Sequence, residues 1–227
     1  MGQSEVNSNV LGVRGAHAPH TFGKKTMLTK TQTDIEKRDE MFSERTELIK
    51  QFQNIPQRRD YIRACKKAKS FPFYYNAHYK SSNGNRYTIV VEATDRKKGS
   101  ANPLMSTFTT LDTEEGKYML RYDTIRQHVG IFTPHFFKRY RERFLKDNRA
   151  SVDDVIMTFH KRNPNLPKDD KENVFIGRDG YILSKEKGEG IDVCVTFVTY
   201  DMLKNGQIDL FKKGIETIDE AEKELEL

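Results

Sequence analysis

The chain has 227 residues with 14 Phe and 10 Tyr, enough large apolar surface for one substantial core with appendages. Its 36% hydrophobic and 32% charged residues make it more polar than an average globular domain, and no apolar run approaches the ~18 residues of a membrane span. The net charge is +6, and the two cysteines, Cys65 and Cys194, form no CxxC pair, which argues against a disulfide scaffold or a thiolate zinc site and fits a reducing cytoplasm.

Residues 1–30 are rich in Gly, Ser, Asn and Thr without an apolar period, and are expected to form a flexible arm. The opening "MGQSEVNSNV" lacks the apolar stretch of a secretory signal, and Val6 stands where an acylation motif needs Ser or Thr. His17 and His20 in "HAPH" are only two ligands, and a metal ion needs three or four. "GKKT" at 23–26 lacks the earlier Gly of a phosphate loop and has Lys25 where Ser or Thr should follow the first Lys.

Residues 33–69 read as two helices. Thr33 and Glu36 make a capping box, and Ile35, Met41 or Phe42, Leu48, Ile49 and Phe52 give a narrow apolar stripe. Pro56 suits the first position of the second helix, whose bases Arg58, Arg59, Arg63, Lys66, Lys67 and Lys69 fit either phosphate contact or a solvated face.

From Phe71 to Tyr122 the pattern changes to strands. "FPFYYNAHYK" and "RYTIVVEAT" flank the Asn-Gly turn of "SSNGN", and "LMSTFTTLD" and "KYMLRYD" flank "TEEG", so two hairpins should form an antiparallel meander. His78 lies in a strand of alternating character and reads as structural or exposed. "EATDRKK" offers only Glu92 and Asp95, too few carboxylates for a metal-dependent nuclease.

Residues 131–162, "IFTPHFFKRYRERFLKDNRASVDDVIMTFHKR", carry two more helices. Thr133 and Pro134 open the first, predicted over 134–146, with Phe136, Phe137, Tyr140 and Phe144 on its core face. Ser151 caps the second, which turns Val152, Val155, Ile156 and Phe159 inward and ends in His160, Lys161 and Arg162, where cations suit the helix dipole. "NVFIGRDGYILSKEKGEGIDVCVTFVTY" reads as three strands joined by Asp-Gly and "KGEG" turns, and the chain closes on an acidic fringe. Charge is uneven: residues 126–149 hold seven bases against two acids, whereas residues 201–227 hold four bases against eight acids.

On the first helix, His135, Arg139 and Arg143 follow at i, i+4 and i+8 and should stack on one line. An imidazole can move protons near neutrality, and guanidiniums can grip a phosphate and stabilise developing charge. That chemistry suffices for metal-independent RNA cleavage, with His135 as acid or base and Arg139 and Arg143 on phosphate. Lys138, Arg141, Lys146, Arg149, Lys161 and Arg162 would extend a nucleic-acid groove, Arg141 pointing well away from His135 on the wheel. The alternative is a basic solvated face packed by its aliphatic stems.

The order "FTPHFFKRYRERF", "SVDDVIMTF", "YILSKE", "VCVTFVTY" resembles small bacterial domains of the RelE/barnase-like ribonuclease superfamily, over about residues 131–200. The resemblance implies an α+β unit of RNA-cleaving or RNA-binding ancestry, of toxin type, with His135, Arg139 and Arg143 in its polar site. Two features depart from that pattern: the β-rich segment 71–122 precedes the helix, and no catalytic Glu completes the set. GxSxG, HExxH, dinucleotide-binding and zinc-deaminase signatures are absent.

The expected fold class is α+β: an antiparallel β-sheet packed by helices, preceded by a helical hairpin and a flexible N-terminal arm. The expected division is an arm over 1–30, a helical pair over 31–70, an α+β core over 71–215 and an acidic tail over 216–227. The expected partner is nucleic acid, RNA before DNA, without cofactor, metal or membrane, and a protein partner could engage helices 33–69 or the acidic tail. The alternative is a non-catalytic, phage- or plasmid-encoded accessory or interaction module.

Overall fold

The computed structural model describes residues 27–55, 57–101, 103–123, 128–169, 173–188 and 190–203. The metal-ligand and phosphate-loop readings of residues 17–26, the Pro56 helix start, Arg126 and the acidic tail lie outside them. Among the described residues nine strands form one mixed sheet, in which the first five in chain order lie side by side and the ninth, eighth, seventh and sixth follow the fifth. All neighbours are antiparallel except the fifth and ninth strands, which makes the protein α+β with a mostly antiparallel sheet.

Among the described residues three helices precede the sheet: α1 (Asp34–Ser43), α2 (Arg45–Gln53) and α3 (Arg58–Lys67). The Thr33 capping box forms, with Thr33 N donating to Glu36 Oε2 at 2.7 Å and Glu36 N to Thr33 Oγ1 at 3.2 Å. The single helix expected from Thr33 onward is interrupted at Glu44, whose side chain is buried against the sheet and accepts from Tyr87 and from Asn85 Nδ2. The end of the expected arm is held too. Leu28 is buried, and its N–H donates to Asn85 Oδ1 at 2.8 Å.

β1 (Phe73–Lys80) and β2 (Arg86–Ala93) form the expected hairpin, closed by Ser81 N to Asn85 O at 2.9 Å with Gly84 at φ 98°. After the short α4 (Arg96–Ala101), β3 (Leu104–Thr113) and β4 (Gly116–Asp123) form the second hairpin. Alternation in β2 turns Tyr87, Ile89, Val91 and Ala93 to one face, where they meet Met41 and Leu48 from α1–α2 and Tyr61 and Cys65 from α3.

β5 (His128–Phe132) was not anticipated. It leads into α5 (Pro134–Tyr140), a π-helical turn (Arg141–Leu145) and α6 (Val152–Arg162), which cross the opposite face of the sheet. β6 (Lys168–Asp169), β7 (Val174–Gly177) and β8 (Gly180–Glu186) then meander back, and β9 (Ile191–Val198) lies parallel to β5, with Val129 opposite Ile191 and Phe132 opposite Cys194. A parallel neighbour needs such a crossover, and the two helices supply it. Beneath them Phe132, Phe136, Phe137, Tyr140, Phe159 and Phe197 interlock edge-to-face at centroid distances such as 4.9 Å for Phe136–Phe159 and 5.0 Å for Tyr140–Phe197. Pairs of this kind add about 0.5–1.5 kcal/mol each beyond area burial. Among the described residues no helix is long and apolar enough to cross a membrane.

Candidate functional site

The entry to α5 is built as its sequence demands. Phe136 N donates to Thr133 Oγ1 at 3.2 Å, Pro134 occupies the first turn, and Phe136, Phe137 and Tyr140 are buried. Their burial fixes the helix rotation and leaves His135 and Lys138 exposed. Arg139 Nε lies 3.4 Å from His135 Nε2, a long contact, while its Nη1 pairs with Glu142 Oε2 at 2.9 Å.

Beyond Tyr140 the helix widens. Lys146 N donates to Arg141 O at 2.9 Å, the i+5 bond of a π turn, and Lys146 takes a left-handed conformation at φ 53°. The straight 134–146 helix expected from a 3.6-residue period is therefore replaced after about two turns. The wider turn takes Arg143 off the line of His135, and Arg143 Nη1 donates to the carbonyl of Phe197 in β9. His135 and Arg139 are brought together; Arg143 is not.

The remaining cations divide in the same way. Lys138, Lys146 and Arg149 are exposed. Arg141 is partly buried and donates to Ala150 O at 3.3 Å. Lys161 Nζ lies 5.7 Å from the Tyr74 ring centroid, and burial lowers its pKa. Arg162 is engaged internally: its Nε and Nη2 reach Asp179 Oδ1 at 2.9 and 2.7 Å, and its guanidinium lies 4.9 Å above Phe144. His160 is no helix-end cation. It is fully buried against Phe108, bonds Ser106 Oγ at 2.8 Å through Nε2, and desolvation holds its pKa well below the ordinary value, so the ring is neutral.

Asp179, in the turn between β7 and β8, gathers three elements. Besides Arg162, its carboxylate accepts from Tyr140 at 2.6 Å and from Asn163 Nδ2 at 3.0 Å, and burial first, then this bond, raises the tyrosine pKa. This cluster ties the end of α5, the end of α6 and the β7–β8 turn together.

A second polar cluster lies on the same face of the sheet beside a cavity of about 730 Å³, within the range of small-molecule sites. Strand register sets Arg121, Gly130, Asp192 and Glu186 in one row across β4, β5, β9 and β8. Gly130 puts no side chain at the centre of that row, and the Phe132 ring edge lies 3.1 Å from where its Cβ would be. Phe132, Leu166 and Phe175 give the cavity apolar walls, and Arg121, Asp123, His128, Lys168 and Glu186 give it polar ones.

Asp192 is fully buried. Lys168 Nζ lies 3.1 Å from its Oδ1 and His128 Nε2 3.1 Å from its Oδ2, although the latter contact is not a well-directed hydrogen bond. Burial lowers the His128 pKa, only partly offset by Asp192, so the ring is neutral near pH 7. For Lys168 burial acts downward, but the bonds to Asp192 and Glu186 outweigh it and the pKa rises. Arg121 donates to Asn163 O at 2.9 Å and to Pro164 O, and burial lowers its pKa to about 10, which leaves it charged. Burial first, and then Asp192, push the Cys194 thiol well above its ordinary value, so it is inert.

None of the residues first singled out lines this cavity. The signals for it are faint: a glycine inside "HVGIF", and a lone aspartate in the apolar alternation of "IDVCVTFV". Among the described residues no group of three or more His, Cys, Asp or Glu could hold a metal ion. No family model, no curated protein and no solved structure matches the chain.

Proposed function

We propose that the protein is a cytoplasmic nucleic-acid-binding protein, preferring RNA to DNA, with α5 and the turn after it as the contact surface. The observation that carries this reading is a set of solvent-facing basic groups: His135 and Lys138 on a helix whose other side is locked by Phe136, Phe137 and Tyr140, and Lys146 and Arg149 on the turn that follows it. Phosphate neutralisation by such groups dominates non-specific affinity. Rigid mounting lowers the entropy lost on binding. The resemblance of residues 131–200 to RelE/barnase-like ribonucleases points to the same class of partner.

Metal-independent RNA cleavage is the stronger form of the proposal. It has His135 as proton carrier and Arg139 beside it, but no third member on the line, since Arg143 is bonded to the β9 carbonyl. The Arg139–Glu142 pair favours a second reading, in which the helix is a non-catalytic interaction surface.

The test is fluorescence polarisation with labelled single-stranded RNA across a salt series. Binding should weaken linearly in log–log form. Replacing Lys138, Lys146 and Arg149 together by Ala should reduce the slope by about 2, from ~0.7 per lost phosphate contact. Absence of RNA affinity, or affinity indifferent to salt, overturns the proposal. Intact RNA after long incubation, with identical behaviour of His135→Ala, removes cleavage and leaves binding standing.

A further inference from the structure

The cavity between β4, β5, β9 and the segment 163–168 is not part of the α5 surface, and no residue of α5 lines it. Its chemistry is mixed in a particular way. One side is apolar and partly aromatic, from Phe132, Phe175 and Leu166. The polar side alternates donors (Arg121, Lys168, and neutral His128 through one ring nitrogen) with acceptors (Asp123, Glu186).

Formal charges decide which ligands fit. Arg121 and Lys168 give two positive charges, and Asp123, Glu186 and the buried Asp192 three negative ones, a balance of −1 with His128 neutral. A phosphate or carboxylate entering this space meets the Asp123 and Glu186 carboxylates, with the buried Asp192 behind Lys168. A compact dication meets a guanidinium and an ammonium. An uncharged ligand escapes both penalties, provided it answers the polar rim with donors and acceptors of its own. The apolar walls call for a flat or apolar ring face, and Gly130, with the Phe132 ring edge where its side chain would be, adds backbone but no further side chain to the lining.

We propose that this cavity is a binding site for an uncharged nitrogen heterocycle of nucleobase or nucleoside size. The ring lies against the aromatic walls, and its polar edge exchanges hydrogen bonds with the Asp123, Glu186 and Arg121 side of the rim. Lys168, held on Asp192 Oδ1, and His128, whose Nε2 lies 3.1 Å from Oδ2, form the opposite side.

The experiment uses the full chain and five probes: adenosine, guanosine, cytidine, uridine and inorganic phosphate. Titration is followed by calorimetry and by the imidazole ring signals in NMR. At least one nucleoside should bind one-to-one, moving the His128 resonances and leaving those of His135 unchanged, while inorganic phosphate leaves the His128 resonances where they are. Glu186→Gln, on a side chain that is 56% exposed, and Asp123→Asn should each weaken that nucleoside about tenfold, with unchanged circular dichroism. Lys138→Ala should leave its affinity unchanged. Silence of all four nucleosides in the wild-type chain overturns the proposal, as does movement of the His128 resonances by phosphate in preference to every nucleoside. Nucleoside affinity that survives both carboxamide variants, or that moves only His135, overturns it equally. Loss of RNA binding by the α5 variants with nucleoside binding intact separates this site from the surface proposed above.

Discussion

Two buried aspartates organise the helix-covered half of this molecule, and they are used differently. Asp179 is surrounded: Arg162, Tyr140 and Asn163 all point their donors at it. Asp192 is as deeply buried, but it has Lys168 and a long contact from Ser184 Oγ at 3.5 Å on one oxygen and an indirectly aimed His128 on the other, beside an open volume. A charge whose every lone pair is answered from within the fold holds elements together and has nothing left for a ligand. One that holds two cavity-lining groups in place prepares a surface. The same contrast separates Arg143 and Arg162, engaged with the fold, from Lys138 and Lys146, which face water.

Isosteric amides would test that contrast most severely. Asp179→Asn keeps the shape but turns an acceptor of several donors into a group that donates back, leaving Tyr140 and Asn163 short of partners inside the core. It should cost about 3 kcal/mol in urea unfolding with an unchanged m-value. Asp192→Asn should cost about 1 kcal/mol, because Lys168 retains Glu186 and the cavity admits water. Equal costs would erase the distinction.

Glycines beside the two clusters sharpen it further. A Cβ on Gly180, in the Asp179 turn at φ 153°, would lie 2.3 Å from Val198 O and 2.7 Å from the Phe197 ring, so Gly180→Ala should cost about 2 kcal/mol. A Cβ on Gly130, at the cavity, meets only the Phe132 ring edge at 3.1 Å. Gly130→Ala should cost less than about 1 kcal/mol, measured in the same denaturant series.

Acid should act through the two shielded histidines. Both His160 and His128 have pKa values lowered by burial, so the unfolded chain takes up protons that the folded chain refuses. Stability is then complete above the unfolded value near 6.5 and is lost as pH falls below it, by about 1.4 kcal/mol per pH unit for each histidine that titrates. Urea midpoints between pH 7.5 and 5 should show this loss, and His160→Gln should flatten it while still offering Ser106 a hydrogen-bonding partner.

What could be read from the sequence was local. Thr33, Thr133 and Ser151 cap helices as their spacing indicates, and the Asn-Gly turn closes β1 onto β2. The alternating strands of both meanders also form where expected. Three things were hidden because they depend on distant chain. β5 is only five residues long and becomes a strand by lying between β4 and a β9 that arrives some sixty residues later. The break at Glu44 depends on Tyr87 and Asn85 receiving its carboxylate. The π turn swings Arg143 toward a carbonyl of β9, which no helical wheel contains. Candidate residues on one helix were therefore visible, and the cavity, drawn from strands β4 to β9, was not.

The smallest expected effect concerns Arg139. Its pair with Glu142 is a surface ion pair with both side chains about one-third exposed, and such pairs contribute about 0–1 kcal/mol. Glu142→Gln should therefore leave the unfolding midpoint within about 0.5 kcal/mol of wild type. Its effect on binding should be more visible. With the carboxylate gone, Arg139 can turn to a phosphate beside His135, so RNA affinity at low salt should rise severalfold and the salt slope should steepen by about 0.7, the increment for one added contact. An unchanged slope would mean that the pair already leaves Arg139 available, or that RNA does not pass over this part of α5. Arg139→Gln in the Glu142→Gln background separates those cases: a slope that falls below wild type places RNA across the helix, and one that stays put excludes it.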